Sequence, residues 1–191
     1  MDFEPKTLAI VAVAIVALIA AYFIFLTPVY EATGQGEWEK GYSIKYSTLK
    51  VSKQVSVGEN RHTEKISLRT DSESLDFAIF TVIPKSLAED LNHVEFVTNG
   101  RIDKLGSNLI EVTPKNSPDS VTLQMEFSPN NVDICTVNAI FPISFLGGLA
   151  EGERQELNTA LLSLDLDLNC DTANEMENTL AEELIAAFTT A

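Results

Sequence analysis

From Tyr42 to Phe141 the apolar residues recur at every second position, and that period limits the body of this chain to strands with one buried face. Tyr42, Ile44 and Tyr46 alternate with polar neighbours. Leu49, Val51, Val55 and Val57 alternate in shifted phase, and the change near Thr48 predicts a bulge or strand bend. Gly58-Glu59-Asn60 turns the chain, and Ile66 and Leu68 return it. Leu75, Phe77, Ile79 and Thr81 share one face, with Ala78, Phe80 and Val82 opposite, so this strand is expected to be central and covered on both sides. Val94–Val97 leads into Asn99-Gly100, the strongest short hairpin signal, with Arg101–Leu105 going back. Leu109–Val112, Val121–Phe127 and Val132–Phe141 complete a series of short strands at intervals of about 8–12 residues, the pattern of a sandwich or barrel.

Ahead of this body stands TLAIVAVAIVALIAAYFIFL, residues 7–26, twenty positions without a charge. As a helix it spans roughly 30 Å, the thickness of a hydrocarbon core. Twelve of its residues are Leu, Ile, Val or Phe, which favours insertion by very roughly 4–7 kcal/mol. Apolar character continues past the small pair Ala20-Ala21 through Leu26, so a retained anchor is expected rather than a cleaved signal peptide. Lys6 and the amino terminus precede the segment, and Glu31, Glu37 and Glu39 follow it before the next cation, Lys40. That places the N-terminus in the cytoplasm and the body outside. Ala17 and Ala21, four apart, form a small-residue face through which two such helices could touch; plain lipid-facing alanines are the simpler reading.

The expected organisation is therefore a short cytoplasmic N-terminus at 1–6, a transmembrane helix at 7–29, a stalk at 30–41, an exterior β-sandwich at 42–171 and a C-terminal helix and tail at 172–191. Thr172-Ala-Asn-Glu175 is a capping box, and Met176, Leu180, Leu184, Ala187 and Phe188 make an apolar stripe behind it. Leu162, Leu164, Leu166 and Leu168 alternate with polar residues and predict a last strand with an acidic face. Charge is uneven: residues 31–142 hold 16 acidic and 11 basic side chains, a net of −5, whereas residues 143–191 hold 10 acidic and only Arg154, a net of −9. Such a surface repels nucleic acid and anionic lipid and suits a cationic partner or bound cations.

The strand ending in Ile83-Pro84-Lys85-Ser86, before a short helix and another strand, resembles a segment of archaeal membrane-anchored surface proteins. Gly152-Glu153, followed by alternating leucines, resembles the Gly-Glu turn of immunoglobulin-like exterior modules. The resemblance implies an immunoglobulin-like sandwich on a membrane stalk and assigns no chemistry.

Candidate sites are few. Cys135 and Cys170 both fall in the expected exterior domain, where they form either a disulfide or two buried thiols. Phe141, Ile143, Phe145, Leu146 and Leu149 lie in a nearly all-apolar run that either fills the core or offers a patch to another subunit. His62 and His93, 31 positions apart, are read as surface histidines with no zinc-ligand spacing, and neither a Gly-x-Ser-x-Gly elbow nor a phosphate loop is present. Asp165-x-Asp167-x-Asn169-x-Asp171 begins like a calcium loop but carries Cys170 and Met176 where glycine and a bidentate glutamate belong. No catalytic residue, metal or cofactor is expected. The leading expectation is a non-catalytic, membrane-anchored scaffolding or protein-binding component of the cell envelope, with an accessory subunit of a larger membrane machine or a weak calcium- or carbohydrate-binding module as alternatives.

Overall fold

The computed structural model describes residues 35–44, 47–58, 61–70, 75–116, 119–128 and 134–189. The 7–26 segment, with Ala17 and Ala21, lies outside these, and among the described residues no helix is long and apolar enough to cross a membrane.

Strands β1 (Gln35–Ile44), β2 (Ser47–Gly58), β3 (Arg61–Thr70), β4 (Phe77–Val82), β5 (Glu95–Thr98), β6 (Arg101–Lys104), β7 (Leu109–Thr113), β8 (Ser120–Phe127) and β9 (Val137–Pro142) precede helices α1 (Ile143–Gly148), α2 (Glu151–Leu162) and α3 (Cys170–Thr189). They form a five-stranded sheet in the order β1-β2-β3-β8-β5 and a four-stranded sheet in the order β6-β7-β4-β9. Every pairing is antiparallel. The chain is mostly β, with a helical C-terminal part.

Burial follows the sequence period. β3 and β8 bury alternate residues, so the five-stranded sheet turns one face inward, whereas every residue of β4 is buried. Phe77, Ile79 and Ile83 pack against Ile66, Leu68, Leu123 and Met125 of the five-stranded sheet. Ala78, Phe80 and Val82 pack on the opposite side with Leu157, Leu161, Leu180 and Leu184 of the helices. The four-stranded sheet is thus the middle layer of three. Arg154 on α2 ties that layer to the helices, 2.5 Å from Glu111 on β7 and over the Phe80 ring at 5.1 Å.

Several elements differ from the sequence expectation. The phase change near Thr48 is a chain reversal and not a bulge, because β1 pairs β2 with Ile44 opposite Ser47. Residues 35–41, expected in the stalk, belong to β1. Asn99-Gly100 does not close a hairpin: β5 pairs with β8 in one sheet and β6 with β7 in the other, so the dipeptide carries the chain between sheets. A type I′ turn needs left-handed backbone at both central residues, and among described non-glycine residues only Asn116 has positive φ. Asn99 instead acts as an extra rung, accepting from the Thr122 backbone N–H at 2.8 Å and donating to the Ser120 carbonyl at 3.2 Å.

Gly152-Glu153 lies in the first turn of α2, where Glu153 accepts from the Ala150 N–H at 2.8 Å, and so forms no inter-strand turn. Leu162–Leu168 is not a strand either. It runs from the end of α2 into i→i+2 turns, Leu166 N–H to Leu164 at 2.8 Å and Leu168 N–H to Leu166 at 3.0 Å. α3 starts at Cys170, two residues before the expected boundary, with Asn169 Oδ1 accepting from Thr172 N–H at 2.9 Å.

Candidate functional site

Three ionisable side chains occupy inward positions of the five-stranded sheet. Lys53 is in phase with Val51 and Val55 on β2, and His62 and Glu64 are in phase with Ile66 and Leu68 on β3. The register sets Lys53 opposite Ile66 and Val55 opposite Glu64, which makes Lys53 and Glu64 diagonal neighbours on one face. All three are at most 3% exposed. The middle sheet contributes Thr81 and Asn138, the segment leading into β9 contributes Thr136, and α3 sends Glu177 to the edge of β9.

Their polar groups close on one another. Lys53 Nζ donates to the Thr136 carbonyl at 2.8 Å and to Glu177 Oε1 at 2.9 Å, and lies 3.5 Å from Glu64 Oε2. Glu64 accepts from the Thr136 N–H at 2.9 Å and from its hydroxyl at 2.7 Å, with His62 Nε2 at 3.1 Å. Glu177 Oε1 also accepts from the Asn138 backbone and side-chain nitrogens at 3.0 and 2.8 Å, satisfying an outward N–H on the edge strand β9. Thr81 donates to Asn138 Oδ1 at 2.8 Å.

Burial opposes the Lys53 charge, yet Glu177 and Glu64 outweigh it and hold its pKa above the ordinary lysine value. Burial likewise opposes ionisation of Glu64, but Lys53 and hydrogen bonds from His62 and Thr136 hold it below the usual carboxylate range. The His62 ring stands edge-on to Phe127 at 5.6 Å, and its Nδ1 has no hydrogen-bond partner among the described residues.

Beside this set lies the disulfide between Cys135, just ahead of β9, and Cys170, the first residue of α3, with Cα atoms 4.9 Å apart. Cys135 Sγ is 3.9 Å from His62 Nε2. One ligand atom from each of His62, Glu64 and Cys135 falls within a 4.8 Å cluster, all buried. In the oxidised chain the Cys135 sulfur is committed to the bridge, so what the arrangement does there is mechanical. It joins β2, β3, β9 and α3 through satisfied charges and one covalent bond.

Sequence spacing does not single out this cluster. His62, expected at the surface, is fully buried, since its position continues the inward series Ile66, Glu64; His93 is exposed and 3.1 Å from Asp90. Glu177, next to Met176 of the apolar stripe on the C-terminal helix, sits against Lys53. The signal that could have found the site is three ionisable residues, Lys53, His62 and Glu64, in phase with apolar neighbours.

Of the apolar run, Phe141 and Leu146 are buried and Ile143, Phe145 and Leu149 are half-buried against the helical core. Phe145 stacks on Phe141 at 5.8 Å and meets Phe188 edge-on at 6.4 Å. Two of the three carboxylates of the calcium-like pattern serve the turn after β4, while Asp171 is exposed in the first turn of α3. Asp165 accepts from Lys85 N–H at 3.0 Å, and Asp167 accepts from the Ser86 hydroxyl.

Together these features define a three-layer β/β/α domain pinned by a buried ionic cluster and a disulfide. No protein-family model, curated protein or solved structure matches this chain.

Proposed function

We propose that the chain is a single-pass, membrane-tethered exterior domain that binds or scaffolds another envelope protein without catalysing a reaction. The observation that carries this reading is the Cys135–Cys170 disulfide, which ties α3 to the middle sheet in the same chain as the twenty-residue apolar segment. Disulfides persist in oxidising compartments, the side of a membrane on which the flanking charges put this domain. The two packed antiparallel sheets fit the immunoglobulin-like, cell-surface reading, although such a module accounts for neither α1 nor α2. The contact surface is taken to be the outer face of the helical layer, where Glu151, Asp171, Glu175 and Glu182 are exposed. A partner with a basic face fits it.

Affinity purification of the full chain in mild detergent tests this. A stoichiometric protein partner, released by salt and weakened by Glu175→Lys with Glu182→Lys, is the expected result. Recovery of the chain with lipid alone would overturn it. Partner capture unaffected by the lysine substitutions would move the contact to the membrane helix, as in an accessory subunit of a larger membrane complex.

A further inference from the structure

We infer that reduction of the Cys135–Cys170 bridge uncovers a binding site for one Zn²⁺, with His62, Cys135 and Cys170 as ligands and Glu64 as the fourth.

The spacing of the donor atoms carries this. In a tetrahedral site, Zn–S of about 2.3 Å and Zn–N of about 2.0 Å set sulfur and nitrogen roughly 3.6 Å apart, and nitrogen and oxygen roughly 3.3 Å apart. Here Cys135 Sγ and His62 Nε2 are 3.9 Å apart, and His62 Nε2 and Glu64 Oε1 are 3.1 Å apart. His62 therefore already stands near the zinc separation from both Cys135 and Glu64, and the three donors lie within 4.8 Å of one another, so a small inward shift of Cys135 toward Glu64 completes the set. The fourth, Cys170 Sγ, is bonded to Cys135, and two zinc-bound thiolates sit roughly 3.8 Å apart. A side-chain rotation at the half-buried start of α3 supplies that movement.

Charge balance points the same way. The oxidised cluster holds one cation, Lys53, and two carboxylates, Glu64 and Glu177, around a neutral bridge. Two thiolates on Zn²⁺ are also neutral, so metal replaces the covalent bond without changing the charge buried among these side chains. Reduction without metal would leave two thiols there. With metal, a dithiol reductant passes two electrons to the S–S bond and becomes a disulfide. Both cysteine sulfurs bind zinc as thiolates, and the dithiol's two protons are released to solvent. With Nε2 on the metal, the neutral imidazole carries its proton on Nδ1, which has no partner among the described residues.

The site thus couples redox state to metal content, whichever side of the membrane the domain occupies. The full chain in detergent, reduced by a non-thiol phosphine and then given one equivalent of Zn²⁺, should retain one zinc per chain after gel filtration. The oxidised chain should retain none. With Co²⁺ the reduced chain should show the intense visible bands of tetrahedral cobalt and a thiolate charge-transfer band. His62→Gln should weaken zinc binding at least tenfold, and Cys135→Ser with Cys170→Ser should abolish it. Circular dichroism taken alongside keeps the test decisive if a variant unfolds. Zinc held only by unfolded chain, zinc affinity unchanged by His62→Gln in a folded variant, or no zinc beyond that of the double serine variant would each overturn the inference.

Discussion

Replacing Lys53 by methionine removes the cation that Glu177 and Glu64 share while keeping an unbranched apolar stem of similar length. The substitution deletes a 2.8 Å hydrogen bond to the Thr136 carbonyl, a 2.9 Å ion pair with Glu177 and a 3.5 Å pair with Glu64. Lys53 and Glu64 are at most 3% exposed and Glu177 about 10%, so solvent screens little of this interaction. Breaking one partner of a buried ionic set costs about 3–5 kcal/mol, because a carboxylate is left without its counter-charge. For a domain of this size that is a fall in Tm of roughly 6–20 °C. Desolvation acts in the opposite direction when every charge goes at once. Lys53→Met combined with Glu64→Gln and Glu177→Gln should recover stability to within about 2 kcal/mol of wild type. Urea unfolding with a common slope, checked by thermal denaturation, measures both. A single variant within about 1 kcal/mol of wild type, or a triple variant less stable than the single, would show that the buried charges do not depend on one another in this way.

Reducing the disulfide in the absence of metal should cost about 4 kcal/mol, since the bridge closes a loop of 35 residues; a loss below about 1 kcal/mol in urea would contradict this. Glu64 has its folded pKa held below the ordinary value of 4.5, so its contribution is full above that value and disappears as pH falls through the folded pKa. Lys53 has its folded pKa above 10.5, so its contribution is full below that value and disappears as pH rises through the folded pKa. The stability gap between wild type and Glu64→Gln should therefore narrow on acidification below 4.5, and a gap that persists would argue against the ionic assignment. Gly100→Ala should destabilise by about 1–3 kcal/mol, because a Cβ there would sit 2.7 Å from the Thr113 carbonyl and 2.9 Å from Val112 Cγ1; an unchanged Tm would rule out the tight crossing between sheets.

The strands are legible in the sequence because period two survives from Leu49 to Phe141, and β4 announces its central place by carrying Phe77 and Ile79 on one face and Phe80 and Val82 on the other. Pairing partners are not legible. Asn99-Gly100 has the composition of a hairpin turn, but β8 and β7 compete successfully for the strands on either side, a tertiary choice that leaves no local trace. The leucines at 162–168 mimic a strand because a helix end followed by short turns also sets buried or half-buried leucines between half-buried or exposed polar residues, although only Leu164 and Leu168 are fully buried. α2 hides for a related reason. Its buried residues, Leu157, Ala160 and Leu161, sit near its C-terminal end, behind a polar first half that reads as loop. The ionic cluster is partly readable, in the phase of Lys53, His62 and Glu64. Glu177 is not, because only the packing of α3 on β9 reveals that its carboxylate meets an edge N–H and a buried lysine.

Whether the folded domain stands outside the membrane on an N-terminal anchor is decided by labelling intact cells with a membrane-impermeant amine reagent, followed by peptide mapping of the membrane fraction. Lys85 and Lys104, both exposed on the described domain, should be modified in intact cells, and Lys6 only after lysis. Labelling of Lys6 before lysis with Lys85 and Lys104 protected would reverse the orientation, and recovery of the full-length chain in the soluble fraction would remove the anchor.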